Sequence, residues 1–344
     1  MQKIFRIGID AMGGDFAPKN ELLGANLAFS LLPKSNEHQF KVVLFGLKTK
    51  IEKIASENNI DLSCFEIIDA PEVIDMHDDP TEIIKTKKNS SLYLGLSSLK
   101  AKNIDAFVSG GNTGAMLSLS TILLGRIKDV SRPTIASFLP SAKNRPTLLL
   151  DVGATVDHKS RFLVEYALMG STYYNVATGV DNPTIGLLNV GEEDSKGTDV
   201  LKESYNILKN SNLNFVGNVE GRDILMGKTD VVVCDGYVGN VILKFAESFT
   251  TLLKSKMKDY SEKSFVNKMK VAASIPAIKG VFKEFDYQEY GGVPILGVNG
   301  ISIVGHGKST PLAYSNMILK AKELIESSLL DKIEESISNN KFVT

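Results

Sequence analysis

The densest chemistry in the chain lies in SGGNTGAM at residues 109–116. An apolar stretch ends, Gly110 and Gly111 turn the chain, and a helical stretch begins. Free backbone N–H groups at a helix start, with the helix dipole behind them, suit a phosphate or an oxyanion. Asn112 and Thr113 add side-chain donors, so Gly110, Gly111, Asn112, Thr113 and Gly114 form one candidate anion cradle. The plain alternative is a glycine turn closed by an N-cap. The spacing Gly110-Gly111-x-x-Gly114 is not the G-x-G-x-x-G of a dinucleotide site.

A second cluster is SIVGHGKST at 302–310. Gly307-Lys308-Ser309 imitates the end of a nucleotide P-loop. That motif needs another glycine with four residues between, and Ser302 stands there. Of His38, His77, His158 and His306, only His306 sits among glycines after a strand-like run. There it could exchange a proton near neutral pH, or serve only its own turn. Asp10, Asp15, Asp151, Asp157 and Asp235 fall at or just after strand-like runs. They could bind metal or orient a base, but helix N-capping is the favoured reading for most. No histidines pair at zinc-helix spacing, and no G-x-S-x-G elbow is present. Lys85, Lys87 and Lys88 precede a helical stretch, as phosphate-neutralising charges or as a solvated face.

These residues recur in one setting: a short β-branched run, a small-residue loop, then a helical stretch. FRIGID, KVVLF, IDAFVS, TLLLDV, TIGLLNV, LNFVGNV, DVVVCD and ISIVGHG are the runs. Apolar runs without alternation suit strands buried on both faces, and alternation with helices implies a mostly parallel sheet. The expected fold is a doubly wound α/β/α sandwich, one domain over 1–344. Loops after the carboxyl ends of such strands bind ligands, and the reading has them converge on one edge. By that placement Asp10, Asn218, Asp235 and Asn240 join the glycine loop as candidate phosphate- or substrate-binding groups.

Composition is that of an ordinary globular protein. Lys+Arg is 39 and Asp+Glu 40, for a net charge of −1, which argues against nucleic-acid binding. The two cysteines, Cys64 and Cys234, exclude a disulfide scaffold and a cysteine zinc site. No apolar run approaches the roughly 20 residues of a spanning helix. Arg6 and Asp10 interrupt the N-terminal apolar stretch, so no signal peptide is expected and the cytoplasm is the expected compartment.

One stretch departs from the alternation. Residues 245–285 read as helix, polar tip and helix, a projection from the core rich in lysine from Lys254 to Lys283. Pro276 is expected to kink or end the second helix. Phe265, Val266, Met269, Val271 and Ile275 are candidates for shallow insertion into an anionic membrane. A second copy of the chain, a carrier protein or plain solvent are the other occupants of this surface.

DAMGGD at 10–15, EVIDM at 72–76, KKNSS at 87–91, SGGNTGAM, SRPTIASFLP at 131–140, LLDVGATVD at 149–157, GLLNVGEEDSKGTD at 186–199, NFVGNVEGRDI at 214–224, VVVCDGYVGNVILK at 231–244 and FDYQEYGGVPILGVNG at 285–300 occur in this order. Together they resemble the bacterial phosphate acyltransferase family of fatty acid and phospholipid synthesis proteins, over nearly the whole chain. The family often has serines after its His-Gly pair, where this chain has Lys308, Ser309 and Thr310.

The resemblance implies that acyl-acyl carrier protein and inorganic phosphate give acyl phosphate and free carrier protein. A downstream glycerol-3-phosphate acyltransferase would consume the product. It also implies a homodimer, a fold related to phosphotransacetylases and isocitrate dehydrogenases, and no nucleotide cofactor. Phosphate is then the nucleophile, so no Ser, Cys or Lys nucleophile is needed. Asn112 and its loop would hold the oxyanion, Lys88 would balance the phosphate charge, and His306 would protonate the leaving thiolate or accept a phosphate proton. The runner-up reading is a non-enzymatic membrane scaffold for lipid enzymes, peripheral on the inner face.

Overall fold

The structure, a computed structural model, describes residues 4–31, 40–80, 82–157, 159–282 and 291–340. His38, His158, Lys283 and the start of the 285–300 motif lie outside the described residues. β1 (Phe5–Asp10) leads to α1 (Lys19–Leu31), and β2 (Phe40–Gly46) to α2 (Lys48–Glu57). β3 (Phe65–Asp69) precedes the short α3 (Ile83–Thr86) and α4 (Ser91–Lys100). β4 (Ala106–Ser109) leads to α5 (Thr113–Leu119), which a π-helical turn prolongs over Ser120–Leu124. β5 (Thr134–Leu139) doubles back as β6 (Thr147–Leu150), followed by α6 (Ser160–Thr178). β7 (Ile185–Leu188), α7 (Asp199–Lys209), β8 (Phe215–Val219), α8 (Gly221–Met226) and β9 (Val231–Val233) come next. Then follow α9 (Gly236–Glu262), α10 (Phe265–Phe282), β10 (Val293–Leu296), β11 (Ile301–Val304), α11 (Pro311–Glu326) and α12 (Leu329–Asn339).

The eleven strands form one sheet in the order β3-β2-β1-β4-β11-β10-β5-β6-β9-β7-β8. The pleat sends alternate side chains to opposite faces. Ile7 and Ile9 of β1, with Leu148 and Leu150 of β6, meet Leu22 of α1, Tyr166 of α6 and Met317 of α11 on one face. Leu149 of β6 and Val304 of β11 meet Leu92 of α4, Met116 of α5 and Ile224 of α8 on the other. The fold is therefore the expected three-layer α/β/α sandwich with a mostly parallel sheet.

The strand directions correct one expectation. β3, β2, β1, β4 and β11 run parallel to one another, as do β6, β9, β7 and β8. Between the blocks, β11–β10, β10–β5 and β5–β6 are each antiparallel. Three reversals leave the second block antiparallel to the first. The loops after β1, β4 and β11 therefore share one edge, and those after β6, β7, β8 and β9 lie on the other.

The excursion is a helical pair, with α9 running out of the core and α10 packed along it. Pro276 lies inside α10, which continues to Phe282 instead of ending. Its missing N–H frees one carbonyl, that of Ala272, on an exposed turn that water can reach. Val271 lines the crevice against Met257 and Tyr260 of α9, so it is not part of the outward face. Phe265, Val266 and Met269 are outward, at 77%, 60% and 57% exposure, and Ile275 is partly so. Among the described residues no helix is long and apolar enough to cross a membrane.

Candidate active site

A cleft of about 580 Å³ opens on the sheet face that carries α5 and α9. Asp15, Gly111, Thr113, Gly114, Gly305, His306 and Gly307 line one end. They come from the loops after β1, β4 and β11, which share an edge because those strands are parallel neighbours. Backbone bonds tie the loops together: Asp15 N donates to Gly307 O at 2.8 Å, and Gly305 N to Ser109 O at 2.8 Å.

Beneath the loops lies a buried polar layer. Asp10 is 2% exposed and accepts from Ser109 Oγ at 2.7 Å and Met12 N at 3.1 Å. Ser109 Oγ in turn accepts from Gly111 N at 3.0 Å. Burial pushes the Asp10 carboxyl up, and hydrogen bonds to Ser91, Ser109 and Met12 oppose the rise. Deeper still, Glu21 and Tyr314 are both fully buried. A Cβ on Gly14 would lie 2.5 Å from Glu21 Oε1 and 2.6 Å from the Tyr314 hydroxyl, and one on Gly110 would collide with that hydroxyl. Glycine is required where the backbone approaches so closely. The carboxyl and hydroxyl face each other without the geometry of a full hydrogen bond. The hydroxyl still offsets part of the desolvation that raises Glu21 to about 7.

The candidates read from the sequence divide sharply. Gly111, Thr113, Gly114, His306 and Asn240 line the cleft. Gly110 and Asp10 lie just behind it. His306 Nδ1 accepts from Lys308 N at 3.1 Å, which leaves the ring proton on Nε2. Thr113 and Gly114 occupy the first turn of α5, where backbone N–H groups have no intrahelical acceptor.

Asn112 is otherwise engaged. Its Oδ1 caps α5 through Ala115 N at 3.0 Å, and its Nδ2 donates to Met76 O at 3.1 Å. The side chain thus fastens the 75–78 segment to the glycine loop and does not line the cleft. Lys88 is exposed and does not line it. Its neighbour Lys87 instead bonds Val73 O and the Asp78 carboxylate, holding that carboxyl below its usual value. Among the described residues the lysine that lines the cleft is Lys244 of α9. Asn218 lies on β8, donating to Glu193 O at 2.9 Å, and Asp235 caps α9 through Val238 N at 2.9 Å. Neither lines the cleft, although Gly153 and Asn240 from the same block do so at its far end.

Ser109, Glu21 and Tyr314 were not singled out by sequence. Ser109 stands in the glycine motif itself. Glu21 is an acid inside the amphipathic stretch after DAMGGD, a faint signal. Tyr314 is an aromatic at an ordinary helical core position. Among the described residues no three His, Cys, Asp or Glu side chains gather to hold a metal ion.

The fold is shared with solved phosphotransacetylases. A phosphotransacetylase from Streptococcus pyogenes matches with a TM-score of 0.62 at 17% identity, over 95% of each chain. A branched-chain phosphotransacylase from Enterococcus faecalis matches with a TM-score of 0.54 at 14% identity, over 94% of this chain and 99% of that one. The chain belongs to the fatty acid synthesis protein family, whose model matches residues 5–332. Proteins named phosphate acyltransferase are 44% identical in Chlorobaculum parvum and 42% identical in Caldicellulosiruptor saccharolyticus. These alignments cover 96% and 97% of this chain and 98% of each relative. The protein is an acyltransferase, which displaces the non-enzymatic scaffold reading.

The buried layer has a measurable consequence. Glu21 holds its proton to about pH 7 when folded, against 4.5 as its reference value. The folded state thus binds more protons across that window, and stability falls as pH rises through it. The full difference is about 3 kcal/mol. Glu21→Gln should remove this component, so that urea unfolding at pH 5 and pH 8 differs less than in the wild type. An unchanged pH dependence would contradict the assignment.

Proposed function

We propose that the protein transfers a fatty acyl group from acyl-acyl carrier protein to inorganic phosphate, giving acyl phosphate for phospholipid synthesis. The observation that carries this reading is a cleft with backbone donors and an imidazole at one end and an apolar floor beyond. It is joined by relatives named phosphate acyltransferase. Phosphate oxygen attacks the thioester carbon, the carbonyl oxygen takes up charge, and collapse expels the thiolate. Phosphate brings its own nucleophilic oxygen, so the site need only align it and stabilise charge.

The N–H groups of Thr113 and Gly114 are the proposed donors to phosphate or oxyanion. His306 acts with them through Nε2–H. Proton transfer by this ring gives way to hydrogen-bond donation, because Nδ1 already accepts from Lys308 N. Lys244, and not Lys88, takes the charge-balancing role. Asp10 and Ser109 hold the loop that carries the donors.

A pure preparation given palmitoyl-acyl carrier protein and phosphate should yield acyl phosphate, trapped as hydroxamate with hydroxylamine. No hydroxamate would overturn the reading. His306→Ala should lower turnover by about 10²–10³-fold, the magnitude of one oxyanion donor. A near-normal rate in folded His306→Ala removes His306 from the mechanism.

The helical pair supports two associations. Tyr237, Val241, Phe245, Phe249 and Leu252 form an exposed apolar stripe along α9 and suit a second copy of this chain. Phe265, Val266, Met269 and Ile275, beside the lysines of the pair, suit an anionic membrane surface at the inner face. Each lysine near such a surface is worth about 1 kcal/mol. The protein should float with anionic vesicles at low salt and be released by moderate salt. Replacing Phe265 and Met269 by Ser should abolish flotation while acyl phosphate synthesis in solution persists. Absence of flotation at low salt would sink the membrane contact.

A further inference from the structure

We infer that a straight acyl chain lies along β5 beneath α9, and that Leu243, one helical turn from the closed end, sets the length the cleft accepts. This rests on the acyl-transfer reading. The floor is one face of β5, where Ile135, Ser137 and Leu139 succeed one another at every second residue. Leu243 and Ala246 of α9 form the opposite wall, and Leu117 of α5 the flank. Apart from Ser137 these side chains are apolar.

The direction of the groove follows from the register. Leu139 at one end of β5 pairs with Thr147, and Thr134 at the other pairs with Leu296. Val293, next to Gly292 in the cleft lining, pairs with Val304, beside the His306 loop. The His306 end of the cleft therefore lies toward Leu139. The opposite end lies toward Ile135, where Val152 N bonds Ile135 O at 3.1 Å. Gly153 and Asn240 stop the groove there, a Cβ on Gly153 falling 3.5 Å from the Asn240 side chain. The reacting carbonyl thus belongs at the loop end and the chain terminus at the Gly153 end.

From Ile135 to Leu139 is four residue steps, about 14 Å. An extended chain advances roughly 1.3 Å per carbon given a C–C bond of about 1.5 Å, so the groove holds about ten carbons. α9 has two uses in this arrangement. Val241, Phe245 and Phe249 point outward, while Leu243 and Ala246 face the groove. Leu243 lies three residues, about 4.5 Å, along α9 from Asn240, so volume added there shortens the groove from its closed end.

The test is kcat/KM for acyl phosphate formation with carrier protein loaded with chains of four to sixteen carbons. In the wild type it should rise about fourfold per methylene up to about ten carbons, then level off. In Leu243→Trp the break should come earlier, lowering the decanoyl-to-hexanoyl ratio at least tenfold. Leu117→Phe, on a different helix, should shift it in the same direction and reports independently if Leu243→Trp does not fold. A wild type with no dependence on chain length, or a break unmoved in both variants, overturns the groove while leaving acyl transfer intact. A wild type that makes no acyl phosphate from any chain overturns the functional reading itself, and the groove with it.

Discussion

The architecture depends on the reversal of strand direction at the centre of the sheet. β10 and β5 join two parallel blocks through three antiparallel pairings. Without them the loops of both blocks would crowd one edge, as in a simple doubly wound sheet. With them, one edge carries the loops after β1, β4 and β11, and the other carries the Gly153 turn. β5 spans the distance between, so the face that carries Ile135, Ser137 and Leu139 becomes the floor of a cleft. A loop-lined end and a strand-lined length follow from topology, and Ile135 and Leu139 make that length apolar.

The polar end is held from below. Asp10, Ser109, Glu21 and Tyr314 are buried polar groups in a region whose surroundings are otherwise apolar. Burying a carboxyl without full pairing is costly, and both acids respond by rising in pKa. The return on that cost is geometric. Ser109 Oγ links Asp10 to the Gly111 amide, and the Tyr314 hydroxyl fills the space that a side chain at Gly14 or Gly110 would need. The loops that present backbone donors are thereby set in one arrangement, as charge stabilisation in a transition state demands.

Much of this was legible in the sequence. The eight runs followed by glycine loops are strands β1, β2, β4, β6, β7, β8, β9 and β11. β3, β5 and β10 escaped, because none is followed by the glycine loop and helix that marked the others. β5 and β10 are the strands that reverse direction, so the single-edge expectation failed with them. Within the site, glycine spacing located the cradle and His306, since close backbone approach leaves a compositional mark. Side-chain roles left none. Asn112 and Asp235 are N-caps, and a cap has the same residue types as a ligand-binding loop. Lys87 and Lys88 are adjacent in sequence, and only the fold shows that the first is tied to Asp78 and the second faces solvent. Lys244 looked like one of many helical lysines until α9 was laid across the cleft.

The proposed chemistry requires phosphate to bind at the edge shared by β1, β4 and β11. Titration of isotope-labelled protein with inorganic phosphate, followed by amide and imidazole NMR, reads this directly. Shifts should concentrate at Thr113, Gly114 and the His306 ring, with Gly153, Thr155 and Gly236 on the opposite edge unmoved. Shifts confined to those opposite-edge residues would contradict it.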